Sequence, residues 1–310
     1  MSALQIVFLG TSAAAPTAYR NLSGLYLKRE GQGFLFDCGE GTQRQMIRYG
    51  TGFSLDAVFF THFHADHYLG IIGFVRTLGM LGRTTPLVMY GPKPAATFLP
   101  KVIKLGVDEV TLPIEIVEAE PGQVLLRGDG FRVEAFATDH RIPSIGYALI
   151  EDTRPGRFDV AKAQALGIPA GPLFGKLQRG ETIVLPDGRS ILPSLVVDAP
   201  RPGRRIVISG DTRPCDGTLA ASEGADVLIH EATFGDLEQL RARETRHSTA
   251  REAAIIARDA HVKRLVLTHL STRYDREAHT LLHQAREETK SGTIVEVADD
   301  GLLLDVPLHD

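Results

Sequence analysis

Residues 57–70 read Ala-Val-Phe-Phe-Thr-His-Phe-His-Ala-Asp-His-Tyr-Leu-Gly, and the reading of this stretch decides the fold. The apolar run over 57–61 ends in His62, His64, Asp66 and His67, so four potential metal ligands fall within six residues. A buried strand gives such a cluster a rigid base, and a loop at its carboxyl end lets closely spaced side chains turn toward one point. Imidazole nitrogen and carboxylate oxygen both suit zinc and similar divalent metals. The plain alternative is a His-rich surface loop. Isolated histidines are common, but His-x-His-x-Asp-His directly after an apolar strand is not.

Around this stretch the chain has 310 residues, 43% hydrophobic and 23% charged, enough for one large soluble domain or two ordinary ones. No apolar run is long enough to span a membrane, and the first ten residues lack the basic start of a secretory leader. The two cysteines, Cys38 and Cys215, give no disulfide framework. A cytoplasmic location is the default expectation, with no membrane partner. The net charge of -4 argues weakly against a nucleic-acid binder, although a local basic surface and bound cations escape that count.

The pattern predicts strands over 3–10, 25–27, 33–37, 57–61, 87–90, 114–118, 124–127, 131–137 and 144–150. Further strands are expected over 205–209, 226–229, 264–268, 293–297 and 301–306. Helices are expected over 42–49, 69–81, 94–105, 248–259 (capped by Ser248 or Thr249) and 276–288. Residues 151–190 are rich in Gly and Pro and show no sustained period. Hairpins beside βα units imply an α/β fold with a sheet-on-sheet core and helices outside.

Three more candidate ligands share one context: His140, Asp211 and His269 each follow an apolar or β-branched run by one to three residues. A site assembled from several strand ends needs that arrangement. Each alone could be a satisfied core residue or a loop cap. Asp37 also follows a strand, and either orients the metal loop or caps a turn.

The stretch 57–70 resembles the signature of the metallo-β-lactamase superfamily. That resemblance implies a four-layer αβ/βα sandwich with two metals at the edge of the sheets. It assigns His62, His64 and His140 to one metal and Asp66, His67 and His269 to the other, with Asp211 bridging. Two Zn2+ per subunit are expected, with Mn2+ or Fe2+ as substitutes. Zinc lowers the pKa of bound water to about 7, and a metal pair can hold attacking and departing oxygens together. Asp66 is the expected general base.

Other motifs narrow the resemblance. The loop Ser12 to Gly24 with Pro16, Arg20 and Asn21, the run Phe-Asp-Cys-Gly-Glu-Gly-Thr-Gln over 36–43, His-Glu-Ala-Thr-Phe over 230–234, His-Ser-Thr over 247–249 and His-Leu-Ser-Thr-Arg-Tyr over 269–274 occur in order. Together they resemble the ribonuclease Z family of tRNA 3′-processing endonucleases, nearly end to end. The resemblance implies that His247 protonates the leaving oxygen, that Glu231 orients it, and that the substrate is precursor tRNA. It implies cleavage that leaves a 3′-hydroxyl on the tRNA and a 5′-phosphate on the trailer. A homodimer is expected, and the chain reads as one domain over 1–310 with a flexible substrate-binding arm inserted at about 151–190. From 154 to 180 the arm carries five basic residues, Lys176 and Arg179 among them, against one acidic, an excess of four. Such a stretch suits RNA phosphates. Arg20, Asn21, Ser271 and Arg273 lie in loops after a strand or a ligand and are expected to contact phosphate and ribose. The competing readings are a small-substrate phosphodiesterase, which needs no arm, an iron oxidoreductase on the same ligands, and an RNA binder without catalysis.

Overall fold

The computed structural model describes residues 4–107, 109–289 and 292–309. Ala3, the first residue of the expected opening strand, lies outside them. The chain forms two compact units. The larger runs to Ile150 and resumes from Arg205 to Pro307; the smaller is Glu151–Arg204 with residues 308–309.

The larger unit holds two seven-stranded sheets. The first is ordered Leu303–Asp305, Leu4–Gly10, Gly24–Arg29, Gln32–Phe36, Ala57–Phe59, Leu87–Gly91, Ile114–Glu118. The second is ordered Ile294–Val297, Arg264–Thr268, Val227–Glu231, Arg205–Ile208, Ile145–Glu151, Phe131–Ala137, Val124–Gly128. Strand side chains alternate between faces, so each central strand feeds two cores. Phe34, Phe36, Ala57 and Phe59 meet Ile206, Ile208, Val227, Ile229 and Val266 between the sheets. Leu35 and Val58 face outward onto the helices Thr42–Arg48, Ile71–Met80 and Ala95–Ile103. Val207, Leu228, Leu265 and Leu267 face outward onto Ala250–Asp259 and Ala278–Glu288. Strands buried on both faces read as continuous apolar runs, which is how they appear in the sequence. The expected four-layer αβ/βα arrangement is what this packing produces.

The aromatic stack Phe36–Phe59–Tyr90, with centroids 5.0 and 4.9 Å apart, lies directly under the strand that leads to His62. Tyr147 reaches from the opposite sheet, and its hydroxyl donates to the Phe60 carbonyl at 2.6 Å. Strands Gln32–Phe36, Ala57–Phe59 and Leu87–Gly91 are parallel, as are Arg205–Ile208, Val227–Glu231 and Arg264–Thr268. Their carboxyl ends therefore fall on common edges, and the site is built there.

Three details refine the sequence reading. The helix expected over 69–81 is Ile71–Met80, and a further short helix, Ala65–Tyr68, precedes it within the metal loop. Between them Gly70 passes so close to the backbone of Gly39 that an added Cβ would sit 2.0 Å from its carbonyl oxygen. Thr249, not Ser248, caps the helix Ala250–Asp259, in a reciprocal capping box with Glu252. The helices Asp216–Ser222 and Gln239–Thr245 are additional to those the pattern predicts.

The smaller unit is the largest departure. The stretch without a period contains helices Val160–Ala165 and Pro172–Gln178, a hairpin of Ile183–Val184 with Ser190–Ile191, and a core of its own. Ala163, Ile168, Leu177, Ile183, Leu185, Ile191 and Val196 are buried together, and the Phe158 and Phe174 rings lie 4.6 Å apart. Elements this short show no readable periodicity, so a folded unit looks like a loop. Its boundary is closed by a buried ion pair, with Arg204 Nε 2.7 Å from Glu151 Oε2 and Arg204 Nη2 2.7 Å from Glu151 Oε1. Over Glu151–Arg204 there are eight basic and six acidic residues, an excess of two. The excess of four belongs only to the inner stretch.

Candidate active site and metal centre

Seven side chains from four strand ends converge in the larger unit. His62 and His64 follow Ala57–Phe59, His140 follows Phe131–Ala137, Asp211 follows Arg205–Ile208, and His269 follows Arg264–Thr268. Asp66 and His67 lie on the short helix after His64. His62 Nε2 and His140 Nε2 lie 3.0 and 3.1 Å from His64 Nδ1, and Asp211 Oδ2 lies 3.5 Å from His62 Nε2. Beside them, His67 Nε2 is 3.2 Å from His269 Nε2, and Asp66 Oδ2 is 3.3 Å from His269 Nε2. Asp211 touches both groups, through Oδ2 at 3.5 Å from His67 and Oδ1 at 3.4 Å from His269.

The outer partners decide which ring nitrogens carry protons. His140 Nδ1 lies 2.9 Å from the Arg246 carbonyl, which only accepts, so Nδ1 carries the proton. His67 Nδ1 donates to Asp37 Oδ2 at 2.8 Å. Thr61 gives its hydroxyl proton to Asp37 and Thr233 gives its own to Glu231, at 2.9 and 2.6 Å. Both hydroxyls therefore accept, from His62 Nδ1 and His269 Nδ1, each at 3.0 Å. Four imidazoles thus turn bare Nε2 lone pairs toward the centre. Lone pairs 3.0–3.5 Å apart repel unless a cation lies among them. The spacing matches the edge of a tetrahedron with metal–nitrogen bonds near 2.0–2.1 Å, about 3.3 Å. Such outer hydrogen bonds are what hold metal-binding histidines in one tautomer.

Charge points the same way. Burial disfavours a charged His67, yet Asp211, Asp37 and Asp66 raise its pKa well above the ordinary value. Burial likewise works against an ionised Asp211, yet His269, His67 and His62 hold it well below the carboxylate range. Asp211 Oδ1 is buried without a hydrogen bond. Surrounding carboxylates and an orphaned oxygen make this a place that favours positive charge. The donor set therefore fits two divalent cations, one in His62, His64, His140 and Asp211 and one in Asp66, His67 and His269, shared through Asp211.

His247 lies at the lip. Its Nδ1 is 2.9 Å from Glu231 Oε1, and Glu231 is fixed by Thr212 N and the Thr233 hydroxyl. Burial opposes the imidazolium, but the Glu231 carboxylate overcomes it and pushes the His247 pKa up to about 9. The cleft in front has a volume near 510 Å³ and reaches from Ala14 and Asp66 to His247, Arg241, Ser271 and Arg273.

The expected substrate contacts divide. Ser271 and Arg273 line this cleft. Arg20 does not suit the phosphate role expected of it, and that expectation is corrected. Its side chain is buried, and Nη1 donates to the Thr11 hydroxyl and the Ala298 carbonyl at 2.7 and 2.6 Å, with Nη2 on Asp299. Asn21 is also engaged in the fold, its amide donating to the Glu40 carbonyl at 3.0 Å and its backbone N–H to Asp300 at 2.7 Å. A buried arginine bound to a carbonyl and a carboxylate is a strut, which loop position alone does not reveal. Lys176 and Arg179 lie exposed on the smaller unit, Arg179 beside Glu181 at 2.9 Å.

Residues with no role in the sequence reading complete the site. Thr61 and Thr233 set tautomers, Arg246 offers its carbonyl, and Ala14 N–H donates to Asp66 Oδ2 at 2.8 Å. Ala14, Asp37, Arg246 and His269 all have φ between 55° and 62°, a left-handed backbone rare for non-glycine residues. Such strain gathers at functional sites, where the surroundings over-determine it.

Comparison with known proteins places this geometry. A family profile described as "Beta-lactamase superfamily domain" matches residues 186–270, and one described as "Anti-Pycsar protein Apyc1" matches residues 4–96. The chain is 60% identical to a protein named ribonuclease Z from Myxococcus xanthus over 310 residues, all of both chains. It is 48% identical to a ribonuclease Z from Haloferax volcanii, over 99% of this chain and 96% of that one. Among solved structures, the short form of human tRNase Z superposes with a TM-score of 0.70 at 28% identity, covering 98% of this chain and 100% of that chain.

Proposed function

The chain belongs to the ribonuclease Z family, a metal-dependent endoribonuclease, and on that premise we propose that it removes the 3′ trailer from tRNA precursors as a dinuclear zinc enzyme. The observation that carries the proposal is the pair of lone-pair clusters joined by Asp211, with the His247–Glu231 pair beside them. Two zinc ions in these clusters would supply a nucleophile at neutral pH and hold the phosphate oxygens.

The chain's own groups do the rest. Asp37, Thr61, Thr233 and the Arg246 carbonyl aim the imidazoles. Asp66, fixed by the Ala14 N–H, takes the proton of the attacking water. His247, held protonated by Glu231, gives its proton to the departing ribose 3′-oxygen. The products are a tRNA with a 3′-hydroxyl and a trailer with a 5′-phosphate. Proton donation of this kind is worth a factor on the order of 10²–10⁴.

The inserted unit Glu151–Arg204 serves as the substrate-holding arm of one metallo-β-lactamase-like domain, with Lys176 and Arg179 on its exposed face. Arg273 and Ser271 contact RNA next to the scissile bond. The enzyme works as a homodimer in the cytoplasm, and no helix among the described residues is long and apolar enough to cross a membrane. The test is metal analysis of the purified protein followed by incubation with a 5′-end-labelled precursor tRNA. One cut after the acceptor stem, with a periodate-sensitive 3′ end on the tRNA, is expected. Product carrying a 3′-phosphate would refute the assignment of His247 and the metals.

A further inference from the structure

Arg241 is a basic residue with no part in the chemistry above. It lies on the helix Gln239–Thr245, which runs into Arg246 and His247, and its exposed side chain lines the same cleft as His64, Asp66 and His269. The other exposed arginines near the cleft have anionic neighbours. Arg246 meets Asp139 at 2.9 Å, and Arg273 lies 3.9 Å from Glu238. Arg241 meets no carboxylate among the described residues. Its guanidinium lies over the Phe234 ring, 5.8 Å from the centroid.

Phe234 cannot itself receive a nucleobase, because its ring is buried. It acts as a shelf. Its backbone is tied to the segment after His247, with Phe234 N–H donating to the Ser248 carbonyl at 3.3 Å and Ala250 N–H donating to the Phe234 carbonyl at 2.9 Å. Its centroid is 6.1 Å from that of His247. Arg241, Phe234 and His247 therefore form a row of neighbours on the wall of the cleft. A cation held on an aromatic face has fewer conformations to lose on binding, and a planar guanidinium without a partner suits a phosphate diester.

The row also fixes which phosphate. His247 donates to the ribose 3′-oxygen that departs, so the nucleotide keeping that oxygen lies on the His247 side. The strand continues from there past Phe234. We propose that Arg241 binds the phosphate immediately upstream of the scissile one, the 5′ linkage of the last nucleotide of the tRNA product. This rests on the pre-tRNA reading of the cleft and on His247 as proton donor. A phosphate contact of this sort positions the strand and reads no sequence, as an enzyme acting on many tRNAs requires.

The experiment compares the parent, Arg241→Ala and Arg241→Lys on three forms of one precursor acceptor-stem RNA. One form is unmodified, one carries a neutral methylphosphonate at the upstream linkage, and one carries it at the linkage downstream of the cut. Melting temperatures and metal content confirm folding. On unmodified RNA, Arg241→Ala raises KM on the order of tenfold, as for removal of one charge-assisted hydrogen-bond pair. The upstream methylphosphonate costs the parent a similar factor and costs Arg241→Ala nothing further. The downstream one costs both alike. Arg241→Lys recovers part of the loss, because it keeps the charge and lacks the fork. If the upstream methylphosphonate costs the parent and Arg241→Ala equally, or if Arg241→Ala matches the parent on unmodified RNA, the inference is wrong while the pre-tRNA reading stands. If the parent does not cut the unmodified RNA, both fall.

Discussion

Asp37→Asn tests the orienting shell with the least change of shape. Asp37 accepts three hydrogen bonds: Thr61 N–H at 2.8 Å on Oδ1, and on Oδ2 the Thr61 hydroxyl at 2.9 Å and His67 Nδ1 at 2.8 Å. Its φ of 56° is one that Asn tolerates better than Ala does, so the backbone is kept. The amide oxygen must face the Thr61 N–H, which cannot turn away, and this sets the NH₂ against His67 Nδ1. A donor there forces the other tautomer, with Nδ1 bare and the proton on Nε2, the nitrogen that faces His269 and Asp66. The group Asp66, His67 and His269 then loses a lone pair. Disrupting such outer partners typically costs 10–100-fold in metal affinity or activity, about 1.4–2.8 kcal/mol. The assay is zinc titration against a chromophoric chelator of known affinity. Because the same NH₂ faces the Thr61 hydroxyl, whose proton then turns to His62 Nδ1, both metals should be held 10–100-fold more weakly, with turnover restored in part by added zinc. Two metals at parental affinity would refute the tautomer argument.

Four further outcomes follow from the same geometry. Stripping metal with a chelator should lower the melting temperature and let zinc restore it, because the bare nitrogens and Asp211 Oδ1 face one another without a cation; an unchanged melting curve would contradict the fit. His247→Ala should keep both metals and slow cleavage of precursor tRNA by a factor on the order of 10²–10⁴; loss of metal instead would make His247 a ligand or a scaffold residue. Arg20→Ala should lower kcat and the melting temperature with little change in KM, since Arg20 ties down the loop that presents Ala14 N–H to Asp66; a selective rise in KM would restore the phosphate role. Removing 151–204 and joining Ile150 to Arg205, which are register partners, by an Asn-Gly turn should give a metal-replete protein with weak precursor binding. Its dependence of log affinity on log salt should be shallower by about 0.7–0.9 for each RNA phosphate that the unit neutralises in the parent, and parental binding would make the unit a plain insertion.

How much of this could be read from the chain follows from what each residue does. Metal-ligand candidates announce themselves as a set, because a single His or Asp after an apolar run can be a core residue or a cap while seven in that context are hard to explain otherwise. His62, Asp211 and His269 are cases, each at the carboxyl end of a strand buried on both faces. The groups that aim them leave no such mark. Thr61 and Thr233 are ordinary strand-end threonines until the direction of their hydroxyl protons is traced. The acceptor for His140 is a backbone carbonyl, at Arg246, which any residue could supply. Arg20 misleads for the opposite reason. Its position in a loop after a strand suggests access to the cleft, and only burial against Ala298 and Asp299 shows that its charge is already used.

The inserted unit reads as a flexible arm in the sequence and folds as a small core, and the reason is one of length. Its helices, Val160–Ala165 and Pro172–Gln178, have six and seven residues, and its hairpin strands have two each. None spans enough turns or alternations to establish a period, while the glycines and prolines that cap them read as loop. What makes it a unit is packing between elements distant in sequence, Ala163 and Leu177 against Ile191 and Val196. This changes how its charge would act. A flexible basic loop must lose conformational entropy to hold RNA, whereas Lys176 stands on a helix pinned to the unit's core by the buried Leu177. Cutting within 154–179 would split that core and expose Ile183, Leu185 and Ile191. A binding defect in such a variant would then report unfolding as much as lost charge. Excision between Ile150 and Arg205 removes the core whole, and so separates what the basic residues contribute from what the fold of the unit contributes.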